Sequence, residues 1–579
     1  MLSYLALLFS IFSVFMRVYA SFSYTSVFTE RIATPIASPL IQPTPFGPEP
    51  SSAVSKLLPN ITYTTYSYQP TATTTDDGTY GNGAYNALWR SVNLTFTSES
   101  LPFTTTVSPT PVPSSELYYP PSLGLGPLRG KLPNDFIWGF SGSAWQVEGA
   151  LYSEGRGPAL PADGTGALPN VEGQDDGVAQ TMNYFLYKQD ILRLAAMGVP
   201  YYTFSISWSR ILPFGVSGSP VNQQGLDHYS DLIDFCLENG ITPVAELWHF
   251  DTPALVNFDD DEMMQHFLYY AQVVMTHYSD RIPIWVTFNE PNIGFEYLFS
   301  EYQTINRITM AHAQVYHWYK ETLNGTAQVT IKFANNMAYP LHGPENATDV
   351  AAATRYQDMV WKIMCNPIFL GQQIPESMLQ TPGMNLTAFT EEQLAYINGT
   401  LDFLSIDPYS AQFATAPEGG IEACVANASH PNFPSCAQLT YVRPDGWLIG
   451  GPSQSYPYNA PEYVRQQMKY IWDNFHPSGI LVAEFGLPRV RESEMTMDQQ
   501  RYDIERTLYY RNFVQGLIDV RDYDGVNVIG AIAWSFVDNN EFGYKSTQFG
   551  LQGVNRTTYE RFYKRSFFDF VDLLQSLTM

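Results

Sequence analysis

The chain has 579 residues, a length at which one large hydrophobic core or several domains persist without disulfides or metals. Its 30 basic and 56 acidic residues give a formal charge of -26, and so acidic a surface is repelled by nucleic acid and anionic lipid. A small disulfide scaffold is therefore excluded, and nucleic-acid binding is disfavoured. Charged residues make up 15% of the chain and aromatic residues another 15%, which favours a neutral, aromatic surface on which sugars stack.

Residues 1–20 have the features of a secretory signal peptide. A single basic residue, Arg17, accompanies an apolar run from Leu5 to Met16, and the segment closes on the small residue Ala20. About twelve apolar residues are too few to span a bilayer comfortably, so a membrane anchor or a buried helix is the weaker interpretation. We expect a secreted or cell-wall-associated protein with no stable membrane insertion. Eight Asn-x-Ser/Thr triplets fit a glycoprotein: Asn60, Asn93, Asn324, Asn346, Asn385, Asn398, Asn427 and Asn555.

Residues 21–125 form a Ser/Thr/Pro-rich, low-complexity extension. From Ser21 to Pro120, 45 of 100 residues are Ser, Thr or Pro, so this segment lacks the apolar density to fold alone. Two interpretations stay open, an O-glycosylated stalk and an arm that lies on the main domain. The aromatic stretch from Tyr85 to Phe96 is expected to pair locally as a strand.

Beyond residue 130, short β-branched runs alternate with longer helical patterns. One helical pattern places apolar residues from Leu226 to Cys236 on one face and ends at Gly240. The eight candidate strands are Phe136 to Phe140, Tyr201 to Ser207, Thr242 to Leu247, Ile284 to Phe288, Val329 to Ala334, Phe403 to Ile406, Ile480 to Ala483 and Ile529 to Trp534. Eight strand and helix pairs predict an α/β fold, a (β/α)8 TIM barrel with loop insertions.

Two glutamates follow predicted barrel strands, Glu290 after strand four and Glu484 after strand seven. In such a barrel the loops at the carboxyl ends of the strands build the functional site. Burying two carboxylates there is costly, because desolvated like charges repel and one of them is forced to hold a proton. Glycoside hydrolysis uses such a pair, with one carboxyl protonating the leaving oxygen and the other attacking the anomeric carbon.

Six motifs lie at the ends of the predicted strands. They are FIWGFSGSAWQVEGA from Phe136, SISWSRILPFG from Ser205, WHFDTP from Trp248, VTFNEPN from Val286, VAEFG from Val482 and AWSFVDNNEFGY from Ala533. In order and spacing they resemble the signatures of glycoside hydrolase family 1, the retaining β-glucosidases, over nearly all of residues 130–565. A single short motif is moderately specific, but six in register are strong. We therefore interpret residues 130–579 as a family 1 barrel.

The resemblance implies a role for each site residue. Glu290 of the Asn-Glu-Pro motif is the general acid/base, and Glu484 stands where the family has its nucleophile. Tyr409 matches the tyrosine that hydrogen-bonds this nucleophile. The positions that match the family's sugar contacts are Gln146, His249, Asn289 and Glu541 for hydrogen bonds and Trp534 for stacking. For His249 and Trp534 a plain core role is the alternative.

Departures from the family pattern fall close to the same site. Thr203 stands where the family has an arginine facing the nucleophile, which removes a positive charge unless another cation substitutes. Asp407 replaces an asparagine, and Phe250 and Phe542 replace tryptophans. We expect glycone recognition to be kept and the aglycone mouth to be reshaped, with the long loop 410–458 as one of its walls.

The expected activity is retaining hydrolysis of terminal β-D-glucosides or short oligosaccharides without metal or cofactor. The alternative is a non-catalytic, sugar-binding secreted glycoprotein that kept the barrel and lost turnover through Thr203 and Asp407. Both carboxylates argue against this alternative.

Among the cysteines, Cys424 and Cys436 lie in one Pro- and Asn-rich loop and are predicted to form a disulfide, while the other two, in helical patterns, are predicted buried thiols.

Overall fold

The computed structural model describes residues 30–40, 44–69, 71, 78–92, 101–160, 179–296, 299–334, 337–542 and 546–578. The predicted signal peptide, residues 1–20, lies outside these ranges. Among the described residues, no helix combines the length and apolar character needed to cross a bilayer.

Eight parallel strands close into a barrel in their order along the chain. They are β1 (Ile137–Gly142), β2 (Tyr201–Ser205), β3 (Thr242–Glu246), β4 (Ile284–Asn289), β5 (Gln328–Ala334), β6 (Leu404–Asp407), β7 (Ile480–Val482) and β8 (Val528–Trp534). All eight predicted strands are present, with shifts of a few residues at their ends. The predicted (β/α)8 barrel is confirmed.

A helix follows each strand and packs outside the barrel. These helices are α1 (Asn183–Ala196), α2 (Gln223–Glu238), α3 (Glu262–Tyr278), α4 (Thr304–His317), α5 (Ala347–Gln357), α6 (Val464–Phe475), α7 (Ile504–Asp524) and α8 (Arg565–Thr578). In α2 the predicted apolar face from Leu226 to Cys236 is buried, and Gly240 has the positive φ of 74° that a chain leaving a helix adopts.

The connections carry shorter elements. The helical ones are Pro50–Leu57, Asn82–Ser91, Ser114–Glu116, Ala144–Val147, Trp208–Ile211, Pro291–Glu296, Trp318–Thr322, Asp358–Lys362, Ile363–Cys365, Asn366–Leu370, Glu376–Leu379, Glu391–Ile397, Ile421–Val425, Pro461–Tyr463, Glu492–Glu494 and Met497–Arg501. The short strands are Tyr63–Thr64, Ala159–Leu160, Val221–Asn222, Thr252–Pro253, Met337–Pro340, Ala411–Thr415, Gln438–Thr440, Gln552–Val554 and Arg561–Tyr563.

The barrel interior changes character from one end to the other. Toward the amino ends of the strands it is filled by an apolar cluster that includes Val244, Ile284, Leu481 and Ile532. Successive side chains alternate across a strand, so the inward series of β3 that contains Val244 continues to Glu246. The apolar layer thus closes the bottom of the barrel and leaves polar side chains above it.

The first part of the extension crosses the bottom of the barrel. Backbone N–H groups of Ile36, Leu40 and Phe46 donate to carbonyls at or just beyond the C-terminal ends of α1, α2 and α3, at 3.0, 2.8 and 3.3 Å. Helix ends leave such carbonyls without intrahelical partners, so the extension satisfies three of them. The described part of the extension therefore lies on the barrel as an arm.

A later part of the extension forms a helix where a strand was expected, so that prediction was wrong for residues 85–91, while residues 93–96 lie outside the described ranges. Tyr85, Leu88 and Trp89 of the helix Asn82–Ser91 are spaced at i, i+3 and i+4, and all three are buried. The Tyr85 hydroxyl and the Trp89 indole both donate to the carbonyl of Arg156, at 2.7 and 3.1 Å. Helical spacing of the large side chains outweighed their β propensity.

The cysteine predictions are confirmed. Cys424 and Cys436 form a disulfide within the loop 410–458, with their Cα atoms 5.6 Å apart. Cys236 and Cys365 are free and buried.

Candidate active site

The predicted site residues gather at the carboxyl ends of the barrel strands. The structure places Gln146 after β1, His249 after β3, Asn289 and Glu290 at the end of β4, Tyr409 after β6, Glu484 after β7, and Trp534 and Glu541 at and after the end of β8. All are buried except Glu290, which is partly exposed. Hydrogen bonds join all of them except Glu290 into three groups.

Gln146, Trp534 and Glu541 make up the first group. One oxygen of Glu541, Oε2, accepts hydrogen bonds from Gln146 Nε2 and Trp534 Nε1, both at 3.2 Å. Burial raises the pKa of Glu541 to about 8, and the nearby charge of Glu484 adds to this rise. The fold therefore favours the protonated form of Glu541.

His249 and Asn289 form the second group. His249 Nδ1 lies 2.7 Å from Glu246 Oε2, and its Nε2 lies 3.3 Å from the Asn289 side-chain amide. Nδ1–H donates a hydrogen bond to the ionised Glu246, which leaves Nε2 to accept one from the amide. The imidazole also stacks on Trp534, with ring centroids 5.6 Å apart and planes inclined by 10°. The ring orientation of His249 is thus fixed from three sides.

Glu484 centres the third group. Its Oε2 accepts a hydrogen bond of 2.8 Å from the Tyr409 hydroxyl, as the sequence predicted. Its Oε1 lies 2.5 Å from the ammonium of Lys332, a residue on β5 that the sequence analysis did not single out. Both carboxylate oxygens are therefore bound by donors that favour the ionised form.

Lys332 also forms an ion pair with Glu246, a second residue missed from the sequence. Each of these two side chains is only 1% exposed. Burial opposes the charge of Glu246, but Lys332 and His249 outweigh it and lower the pKa of Glu246 to about 2. Lys332 could have been found from the sequence, because it is a lone lysine in the apolar strand Val329 to Ala334. A buried charge is costly, so a lysine at such a position indicates a role for its charge.

Glu290 has different surroundings. Burial raises the pKa of Glu290 well above its usual range, and the charge of Glu484 raises it further. Its φ is +47°, a left-handed value that is uncommon outside glycine and often found at functional sites. Its backbone N–H donates to the carbonyl of Lys332 at 2.8 Å, which holds this conformation in place.

Asp407 is a third carboxyl that favours its protonated form. It is buried at the end of β6, and neither of its oxygens has a hydrogen-bond partner among the described residues. Burial raises the pKa of Asp407 well above its usual range, with a further contribution from Glu484. Protonated, this carboxyl is a hydrogen-bond donor, as the amide of an asparagine is.

Three side chains come close enough to share a cation. Glu246, His249 and Glu484 offer ligand atoms that all lie within 4.8 Å of one another. The Lys332 ammonium contacts both carboxylates of this set and supplies the positive charge. The donor set is thus occupied by a side chain of the protein, and we assign no metal to it.

Aromatic residues line the mouth. Phe542 packs on Phe250 and on Trp145, with ring centroids 5.8 Å apart in each pair. From the loop 410–458, Tyr456 meets Tyr409 edge to face at 5.5 Å. The disulfide-bearing loop therefore reaches the residue that binds Glu484, and its role as a wall of the mouth stays a prediction.

Comparisons with known proteins agree with this architecture. Residues 128–578 match the family model described as Glycosyl hydrolase family 1. β-Glucosidase 1B of Phanerodontia chrysosporium is 31% identical over 473 residues, covering 75% of this chain and 84% of that protein. The crystal structure of β-glucosidase 2 from Trichoderma reesei in complex with Tris is 29% identical with a TM-score of 0.71, covering 77% of this chain and 100% of that one.

A second solved structure gives the same result. The family 1 β-glucosidase of Humicola insolens in complex with glucose is 28% identical, with a TM-score of 0.71 over 77% of this chain and 99% of that one. The family match spans most of the chain and includes every predicted site residue. This protein belongs to glycosyl hydrolase family 1.

Proposed function

We propose that the protein is a β-glucosidase that cleaves terminal β-D-glucosides with retention, with Glu484 as nucleophile and Glu290 as acid/base. The observation that carries this assignment is the opposite setting of the two carboxyls. Lys332 and Tyr409 bind both oxygens of Glu484, whereas burial and the charge of Glu484 favour the protonated form of Glu290. A retaining mechanism needs one ionised and one protonated carboxyl.

In the first step a carboxylate oxygen of Glu484 attacks the anomeric carbon. The bond from this carbon to the aglycone oxygen breaks, and Glu290 gives its proton to the departing oxygen. The sugar is then linked to Glu484 as an ester. In the second step Glu290, now ionised, takes a proton from water, the water oxygen attacks the same carbon, and the bond to Glu484 breaks. The sugar leaves with its β configuration.

The groups around the two carboxyls fit a glucose ring. Gln146, His249 and Asn289 are buried hydrogen-bonding side chains beside Glu541, and Trp534 gives an apolar face for the ring. A buried polar site of this kind rejects a sugar that lacks the matching hydroxyl, because its own groups then stay unpaired. The binding-only alternative explains neither the paired carboxyls nor the contrast between the donors that bind Glu484 and the raised pKa of Glu290.

A panel of 4-nitrophenyl β-glycosides tests the activity. We expect release of nitrophenol from the β-glucoside, and proton NMR is expected to show the β-anomer of glucose as first product. A 2-deoxy-2-fluoro-β-glucosyl fluoride is expected to label Glu484, which peptide mass spectrometry detects. Failure on every glycoside, an α-anomer as first product, or a label on another residue contradicts the proposal.

We also propose that the protein is a secreted glycoprotein. The Cys424–Cys436 disulfide supports an oxidising compartment. Seven of the eight glycosylation triplets lie in described residues, and none of their asparagines is buried. Detection of the protein in culture medium, with a mass that falls after N-glycosidase treatment, tests this proposal; intracellular retention without glycans contradicts it.

A further inference from the structure

The positive charge beside Glu484 does not come from position 203, where the family has its arginine. It comes from a strand on the opposite side of the barrel. Thr203 lies on β2, where its neutral side chain carries no charge to the site. Lys332 lies on β5, in register with Asn289 of β4 and Ser405 of β6. Inward side chains of all eight strands converge on the barrel axis, so a cation from any of them reaches the same centre.

Lys332 is held between two anions. Its ammonium contacts Glu484 at 2.5 Å and forms an ion pair with Glu246. Burial alone lowers the pKa of a lysine, but the charges of these carboxylates outweigh it, so the pKa of Lys332 is raised instead. The lysine is therefore charged throughout the range in which the protein works.

Glu246 gives Lys332 a partner that the reaction does not consume. When Glu484 becomes an ester, its negative charge disappears. A buried ammonium left without a counter-ion is strongly destabilised, which would oppose formation of the ester. Glu246 stays ionised because Lys332 and His249 both bind it, so the ammonium keeps an anion at every stage.

Other groups around Glu484 offer no equivalent charge. Titratable side chains near it are Lys332, Glu246, His249, Glu290, Asp407, Tyr409, Tyr456 and Glu541. Of these described residues Lys332 is the one that forms an ion pair with Glu484, whereas His249 bonds to Glu246 and Asn289. The other carboxyls supply no positive charge, and Tyr409 binds Glu484 by a neutral hydrogen bond.

We propose that Lys332, anchored by Glu246, is the positioning residue that keeps Glu484 ionised and oriented, in place of the arginine that Thr203 replaces. This inference rests on the proposed function, because it assigns the electrostatic partner of the proposed nucleophile. It adds the pair Lys332 and Glu246 to the site, and it removes the need for a charge at position 203.

The substitution Lys332→Met tests the proposal, because methionine fills the space without a charge. We expect kcat/KM for 4-nitrophenyl β-glucoside to fall about 100-fold, the scale of losing one preorganised electrostatic contact. The acidic limb of the kcat/KM profile reports the essential ionised group of the free enzyme, and we expect it to move up by about one pH unit. Lys332→Arg keeps the charge, so its acidic limb is expected to stay near that of the wild type.

Two further variants separate this role from a structural one. Lys564 is an equally buried lysine, paired with Glu492 and Asp538 at 3.0 and 2.8 Å. Lys564→Met is expected to lower Tm and leave the acidic limb in place. In Lys332→Met the carboxylate of Glu246 loses its ammonium partner, and the double variant Lys332→Met with Glu246→Gln removes that charge. We expect the double variant to have a higher Tm than Lys332→Met. Its acidic limb is expected to stay at the position found in Lys332→Met.

The outcome that overturns the inference is a folded Lys332→Met protein whose activity and acidic limb match those of an active wild type. An inactive wild type is a different failure, that of the proposed function. In that case a double-mutant cycle with Lys332→Met and Glu484→Gln, measured on Tm, tests whether the two side chains interact. Additive effects then show that Lys332 does not hold Glu484, and a coupling shows that it does.

Discussion

The site contains two sets of carboxyls whose surroundings act on them in opposite ways. Glu246 on β3 and Glu484 after β7 share the ammonium of Lys332 on β5. The buried Asp407 and Glu541 and the partly exposed Glu290 have no bonded cation among the described residues, and the pKa of each is raised. One buried cation thus separates two carboxyls that it contacts directly from three whose protonated form is favoured, which is the contrast that acid and nucleophile chemistry requires.

The largest effect that tests this division is expected at Glu484. The variant Glu484→Gln keeps the shape of the side chain and removes the attacking charge, so kcat for 4-nitrophenyl β-glucoside is expected to fall about 10⁵-fold. Stopped assays at high enzyme concentration measure it. Retention of more than a hundredth of the wild-type rate would place the nucleophile elsewhere.

A smaller and substrate-dependent effect is expected at Glu290. The variant Glu290→Gln removes the proton donor, and general acid catalysis contributes about 10³-fold for a leaving group that needs a proton. We expect that loss with alkyl glucosides and a much smaller one, in glycosylation, with dinitrophenyl glucoside, whose leaving oxygen departs without protonation. Equal losses for both substrates in pre-steady-state measurements of the first step would remove Glu290 from the acid role.

Asp407 tests the comparison within the set of carboxyls that have no bonded cation. Asparagine matches a protonated aspartate in shape and as a donor, so Asp407→Asn is expected to change kcat/KM less than about 5-fold, the value of one hydrogen bond. Wild-type Asp407 ionises in the unfolded chain before it does in the folded one, which lowers stability as pH rises. The variant is therefore expected to gain Tm over the wild type at pH 7 but not at pH 4. A large loss of activity would mean that Asp407 works as an anion.

The smallest effect is expected in the pH dependence of stability that Glu541 controls. Its pKa is 4.5 in ordinary surroundings and about 8 in the fold, so the unfolded state loses its proton first as pH rises. The contribution of Glu541 to stability is thus full below pH 4.5 and is lost between 4.5 and 8. We expect Tm of the wild type to fall across this range and the fall to be shallower in Glu541→Gln. The exposed Glu345→Gln serves as the matched control, and an identical slope in all three proteins would contradict the pKa shift.

Much of the fold and of the site follows from local sequence. The eight strands and their helices are visible because each buries a periodic apolar face, and periodicity is a property of a few consecutive residues. The positions of Glu290 and Glu484 follow from the rule that barrel strands present their carboxyl ends to one rim. The helix Asn82–Ser91 was missed because its aromatic residues also favour strands, and packing against residues near Arg156 decided between the two.

The sequence by itself determined the family, the barrel and the two carboxyls, because these depend on short motifs and on the apolar periodicity of consecutive residues. Only the tertiary structure decided which groups are charged. Lys332 is 86 residues from Glu246 and 152 from Glu484 along the chain, and the interaction among them exists only where the strands converge. The same holds for the arm, whose Ser, Thr and Pro content cannot build a core but whose backbone binds the ends of three barrel helices. Burial and charge are properties of a completed fold, and they assign the protons on which the chemistry depends.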